Sequence, residues 1–259
     1  MTAASSGVAA LDPAARDALA ELLLSVADDE FVIGFWDSEW TGIAPMLEED
    51  VATSSIAQDE IGHARALYEL LAELTEDDAD RIAFGREVAD YRHAALLNHA
   101  RGDWAFSVAR RYLYETADAV RLTALASSAH DGLAALAGKM RREETYHMLH
   151  ADAWVRRLAD GDGRDRFAAA VVALWADAQE VFAPLESGDR LVRDRWLPQP
   201  MTELHAAWVA RVRPILEPIA GDLQALEPRT DGRRRRTDDF SWLHGEFTRV
   251  SGSEAGALW

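Results

Sequence analysis

The residues best suited to chemistry are two copies of Glu-x-x-His. In Gln58-Asp59-Glu60-Ile61-Gly62-His63 the acid and the imidazole stand three apart, and Glu143-Glu144-Thr145-Tyr146-His147 repeats the pattern. On an α-helix that spacing sets both side chains on one face. Carboxylates and imidazoles suit iron or manganese. Two such motifs, with one lone Glu from each of two further helices, form the ligand set of a carboxylate-bridged two-metal bundle. In the second motif Glu144, three before His147, is the preferred ligand, and Glu143, four before it, is the alternative. A single Glu-x-x-His ordinarily serves solubility or a capping contact. The pair carries weight only if the chain also supplies the lone acids at the right level.

Long helices provide that frame. None of the eight prolines lies between Pro45 and Pro184, and this span is rich in Ala, Leu, Glu and Arg. The pattern predicts a helix from about Pro13 to Trp40, a turn at Thr41-Gly42-Ile43-Ala44-Pro45 and a second helix to about Leu74. A short acidic helix and an irregular stretch ending at Arg101-Gly102-Asp103 follow. A third long helix then runs to about Ala126, and a turn over 127–132 leads to a fourth that ends near Asp160-Gly161-Asp162-Gly163. In an antiparallel hairpin centred near Ile43, Glu60 lies level with Val26, and Glu30 is within about one turn of it. In a hairpin centred near His130, Glu144 lies level with Thr116, next to Glu115. Glu30 shares a stripe with Leu23, Val26 and Ile33; Glu115 shares one with Val108, Tyr112, Ala119 and Leu122; His147 has Met140 and Trp154 on its face. Carboxylates in apolar stripes at one level repel strongly unless cations join them. Glu30, Glu60, His63, Glu115, Glu144 and His147 are therefore the expected metal ligands. His93, His99, His130, His150, His205 and His244 read as surface or hydrogen-bonded groups, with His150, one turn beyond His147, able to support the site from behind. The expected architecture is an all-α, ferritin-like four-helix bundle over about 13–160. A fifth helix at about 164–183, a helix that Pro214 and Pro218 kink or end, and an amphipathic segment over 240–250 extend it through 164–259, in one domain over 1–259.

Composition narrows the functions. The chain of 259 residues has no cysteine, which excludes disulfides, thiolate chemistry and iron–sulfur clusters and leaves metals to His, Asp and Glu. With 45 acidic against 27 basic residues, a net charge of −18 disfavours nucleic acid and anionic membranes. No apolar stretch suits a membrane span or a secretory signal, which points to the cytoplasm. The only basic concentration, Arg233 to Arg236, reads as a solvated loop, with phosphate or partner docking as the alternative. No phosphate-binding loop, dinucleotide fingerprint or serine nucleophile elbow is present.

Together, Ala27-Asp28-Asp29, Glu39-Trp40-Thr41-Gly42 with Ala44-Pro45, Leu47-Glu48-Glu49-Asp50, Asp59-Glu60-Ile61-Gly62-His63-Ala64-Arg65, Tyr146-His147 and Thr237-Asp238-Asp239-Phe240-Ser241-Trp242-Leu243-His244-Gly245-Glu246 resemble the C subunit of the multicomponent phenylacetyl-CoA epoxidase, over about residues 20–250. The resemblance implies a ferritin-like, cytoplasmic subunit of an O2-dependent monooxygenase of aerobic phenylacetate catabolism. Its implied partners are a catalytic A subunit, which holds iron and inserts one oxygen atom into the ring of phenylacetyl-CoA, and a reductase system. The sequence departs from the pattern of well-known C subunits, which have lost ligand positions: all six candidate ligands remain here. Two non-haem irons, or manganese in their place, are the expected cofactors. A metal-free structural scaffold and a stand-alone ferritin-like di-iron oxidase or peroxidase are the rival readings.

Overall fold

A computed structural model describes residues 11–253; the ends of the expected single domain, 1–10 and 254–259, lie outside them. Helix α1 (Pro13–Ser38) starts on a proline in its first turn, where no N–H is missed, and Asp12 accepts from the Ala15 N–H at 2.8 Å. Gly42, with φ of +84°, turns the chain into α2 (Leu47–Thr75). That helix places Glu48, Glu49 and Asp50 in its first turn, against the positive end of its dipole. After α3 (Ala79–Phe84) and an irregular run, Gly102 (φ +69°) and the capping Asp103 start α4 (Trp104–Leu125). The His130 ring accepts from the Leu133 N–H to start α5 (Asp131–Ala159).

These four long helices form two hairpins, α1 with α2 and α4 with α5, which meet along α2 and α5. The shared interior buries α1 without interruption from Ser25 to Gly34. Gly34 allows the first hairpin to close tightly, because a Cβ there would stand 2.8 Å from Ile61 Cγ1 and 3.1 Å from Glu60 Cβ. Behind α4 pack α6 (Arg164–Ala178) and α8 (Met201–Ala220); α7 (Gly188–Arg193) touches α1, and α9 (Asp238–Phe247) lies against α1 and the irregular run. Among the described residues there are nine α-helices and no strand. The fold is the all-α, ferritin-like bundle.

Of the expected kink or end at Pro214 and Pro218, the end does not occur: helix α8 runs through both prolines to Ala220. The cost of an interior proline, about 3 kcal/mol, is offset by anchoring: Trp208, Val212 and Leu216 are fully buried, and the Trp208 indole donates to Thr116 Oγ1 at 2.9 Å. The Arg233–Arg236 run is not a solvated loop as a whole. Arg233 is buried and donates to Asp29 and to the carbonyls of Ser25, Arg92 and Val181, and Arg236 caps the carbonyls of Tyr91 and Arg233. These guanidiniums latch the C-terminal segment onto α1 and the irregular run; Arg234 and Arg235 remain exposed.

Candidate metal centre

The site grows from three consecutive acids on α1, all fully buried: Asp28, Asp29 and Glu30. Successive helical residues point about 100° apart, so each meets a different neighbour. Asp28 accepts from the Tyr68 hydroxyl at 2.6 Å and from Arg86 and the Arg92 N–H. Asp29 accepts from Arg121, Arg233 and the Ala94 N–H. Glu30 faces the bundle axis, where the Tyr114 hydroxyl donates to its Oε1 at 2.7 Å and His63 Nδ1 lies 3.2 Å from its Oε2.

All six expected residues converge there. Glu30, Glu60, His63 and Glu144 can bring one ligand atom each to within 4.8 Å of one another, and so can Glu60, Glu115, Glu144 and His147. The two groups share Glu60 and Glu144, and each of these divides its oxygens between the histidines. Glu60 turns Oε2 to His63 Nδ1 (3.7 Å) and Oε1 to His147 Nδ1 (3.4 Å), while Glu144 turns Oε1 to His63 (3.3 Å) and Oε2 to His147 (3.2 Å). Glu143 stands outside: its side chain is 38% exposed against 6% for Glu144, and it takes the outer nitrogen of His63 at 2.9 Å. Asp59 lies 3.4 Å from the outer nitrogen of His147. A carboxylate behind each imidazole fixes ring orientation and leaves Nδ1 toward the centre, the arrangement that tunes metal-binding histidines.

The electrostatics carry the mark of crowded acids. Burial, and then the charges of Glu144, Glu30 and Glu115, push the Glu60 carboxyl well above the usual range; burial and Glu144 do the same to Glu115. Burial pulls the imidazoles down but is overcome by the carboxylates. The carboxylates of Glu144, Glu30 and Glu60 close to its ring raise His63 far above its ordinary value, and Glu115 and Glu144 raise His147 to about 9. Glu144 goes the other way: burial would raise it, but the two histidines, 3.3 and 3.2 Å from its oxygens, hold it well below the usual carboxylate range. Both oxygens of Glu60, Oε2 of Glu115, Oε1 of Glu144 and Nδ1 of His147 are buried and make no hydrogen bond within the protein. Hard oxygen and imidazole donors converging with unspent lone pairs fit divalent or trivalent ions, which would replace the protons that otherwise bind the cluster together. The buried Glu/His groups can therefore hold metal ions.

Arg111 also enters the cluster. Its Nη1 lies 2.5 Å from Glu115 Oε1 and 3.5 Å from Glu60 Oε1, and its Nη2 pairs with Asp37. Arg111, Asp37, Tyr114 and Asp59 escaped the sequence reading, although Arg111 stands four before Glu115 and Asp37 seven after Glu30, spacings that share a helix face. The other histidines stay out of both groups: His93 bonds Asn98, His99 bonds Asp177, His205 bonds Gln179, His244 bonds the Arg86 carbonyl, and His150 bonds Glu49.

Bundle and cluster together define a class, the ferritin-like all-α proteins with a buried carboxylate–histidine centre. Within it, residues 3–259 match the family model described as "Phenylacetic acid catabolic protein". The chain is 32% identical over 192 residues, 73% of its length and 77% of the relative's, to the C subunit of the 1,2-phenylacetyl-CoA epoxidase of Escherichia coli (strain K12). This chain belongs to the phenylacetic acid catabolic protein family. No described helix is long and apolar enough to cross a membrane.

Proposed function

We propose that this chain works in the cytoplasm as a C-type subunit of a multicomponent monooxygenase acting on phenylacetyl-CoA, beside a related catalytic A subunit and a separate reductase. Glu30, Glu60, His63, Glu115, Glu144 and His147 hold two iron ions in this reading, with manganese as the alternative. Glu60 and Glu144, common to both groups, would be shared by the ions, with Glu30 and His63 completing one group and Glu115 and His147 the other. The observation that carries it is the sharing of Glu60 and Glu144 between the two groups, each with one oxygen toward each histidine. Such a pair of ions, when bound, supplies the activation of dioxygen.

The chain's own residues do the positioning. Tyr114 holds Glu30 by its hydroxyl, and Glu143 and Asp59 hold the outer faces of His63 and His147. Buried Val26, Ile33, Leu122 and Met140 keep bulk water from the centre. Electrons come from the reductase, since the chain carries neither cysteine for an iron–sulfur cluster nor a dinucleotide fingerprint.

Metal analysis with optical spectroscopy on protein from iron-fed cells tests this. About two irons per chain, lost in His63→Ala and in Glu144→Ala, is the expected result. Retention of two irons by both variants would sink the ligand assignment. A second reading, a metal-free scaffold for the catalytic subunit, is favoured by Arg111, whose guanidinium supplies an internal counter-charge to Glu60 and Glu115. Metal-free, folded protein that co-purifies with its larger partner would select it.

A further inference from the structure

Beside the acidic cluster, on its Arg111 side, lies a cavity between α1, α2, α4 and α5. Its walls include Asp37, Thr53, Trp104, Arg111, His150 and Trp154, and its volume, about 20 Å³, fits one water molecule. Three of these residues carry buried polar atoms without a protein partner: Thr53 Oγ1, Trp104 Nε1 and His150 Nδ1. Each such atom left unpaired is costly, and their gathering around one space of this size is informative.

The chemistry of the donors specifies the guest. His150 Nε2 lies 2.6 Å from Glu49 Oε2, and the Trp154 indole donates to the same oxygen at 2.7 Å. A carboxylate only accepts, so Nε2 carries the ring proton and the neutral imidazole presents Nδ1 as an acceptor. Burial favours that neutral ring, holding His150 below its usual value against the raising effect of Glu49. Trp104 can only donate, the Thr53 hydroxyl can donate, and the Asp37 carboxylate, paired with Arg111, can only accept. Two donors and two acceptors are the complement of a single water.

We propose that this cavity is a water site, and that its water accepts hydrogen bonds from Trp104 Nε1–H and the Thr53 hydroxyl and donates its own two hydrogens to His150 Nδ1 and Asp37. The water joins Glu49 and His150, at the edge of the bundle, to Asp37 and so to the Arg111 guanidinium held against Glu60 and Glu115. His150 becomes a positioning residue: through the water it fixes Asp37, and through Asp37 the place of Arg111. The inference is independent of whether cations occupy the cluster.

A crystal structure of the full chain resolving ordered solvent should show one peak within hydrogen-bonding distance of Thr53 Oγ1, Trp104 Nε1 and His150 Nδ1. In solution, ¹⁵N NMR should find His150 as the Nε2–H tautomer, and the Trp104 indole proton should show a cross-peak to a long-lived water. Ala151 also lines the cavity and is 2% exposed, so Ala151→Val should fill it and abolish that cross-peak. His150→Gln, which keeps an acceptor, should retain the cross-peak, and His150→Phe should lose it. A dry cavity, the opposite tautomer, or a cross-peak that survives both Ala151→Val and His150→Phe would overturn the assignment.

Discussion

Replacing Arg111 by Met tests the charge balance of the cluster. The substitution keeps an unbranched apolar stem of similar reach and removes the guanidinium from between Asp37, Glu60 and Glu115. Glu60 and Glu115 can answer by holding protons, as their raised pKa values imply. Asp37 loses its closest guanidinium: it is 2% exposed, and its remaining cation, Arg110, stands 3.9 Å away. An uncompensated buried charge of this kind costs roughly 3–5 kcal/mol. Metal-free Arg111→Met should therefore lose about that much stability in urea denaturation. Without the guanidinium competing for Glu60 and Glu115, the variant should gain more from Mn(II) or anaerobic Fe(II) than the parent does. Saturation about a thousandfold above Kd contributes roughly 4 kcal/mol, enough to return most of the loss. A variant as stable as the parent without metal, or one that gains no more than the parent on adding it, would refute the reasoning.

Three further outcomes follow from the same geometry. Gly34→Ala drives a methyl toward Ile61 Cγ1, Glu60 Cβ and the Ala57 carbonyl, which overpacking makes costly by about 1–3 kcal/mol; it should also weaken metal binding in a titration although every ligand remains. Arg233→Ala strips Asp29 of one of its two guanidiniums and frees three carbonyls of their donor. Breaking this buried pair should cost roughly 3–5 kcal/mol, visible as a lower melting temperature. Asp118 is pushed up to about 8 by burial, which outweighs the lowering effect of Arg121, whose charge Asp29 also satisfies. Its folded pKa exceeds its unfolded one, near 3.9, so the folded state binds more protons between them, and stability should fall as pH rises from about 4 to 8. Asp118→Asn should flatten that slope in denaturation curves; an unchanged slope would place the titration elsewhere.

The helices and their hairpins were legible because helical periodicity and capping are local. Asp12 before Pro13, Gly42 in the first turn and Asp103 before Trp104 act within a few residues of where they stand, and the long proline-free span leaves little but helix. The six residues that converge could be picked out because a rise of 1.5 Å per residue turns sequence distance from a turn into height along the bundle; Glu30 and Glu115 are matched to Glu60 and Glu144 by that alone. Other features depend on how the helices rotate against each other and where long side chains reach. Glu143 and Glu144 are neighbours of one type, and only the packing of α5 on α2 puts Glu144 inside and Glu143 behind His63. Arg111 shares a helix face with Glu115, but its pairing with Asp37 and that of Tyr114 with Glu30 run across α1 and α4, which no spacing along one helix encodes. The Arg233 guanidinium, in a run that reads as solvated, lies buried against Asp29 because the chain folds back over a separation of 204 positions to bring it there. Local sequence determines which faces exist and at what height; tertiary packing decides which buried charges meet, since an ion pair depends on distance in space and takes no account of distance along the chain.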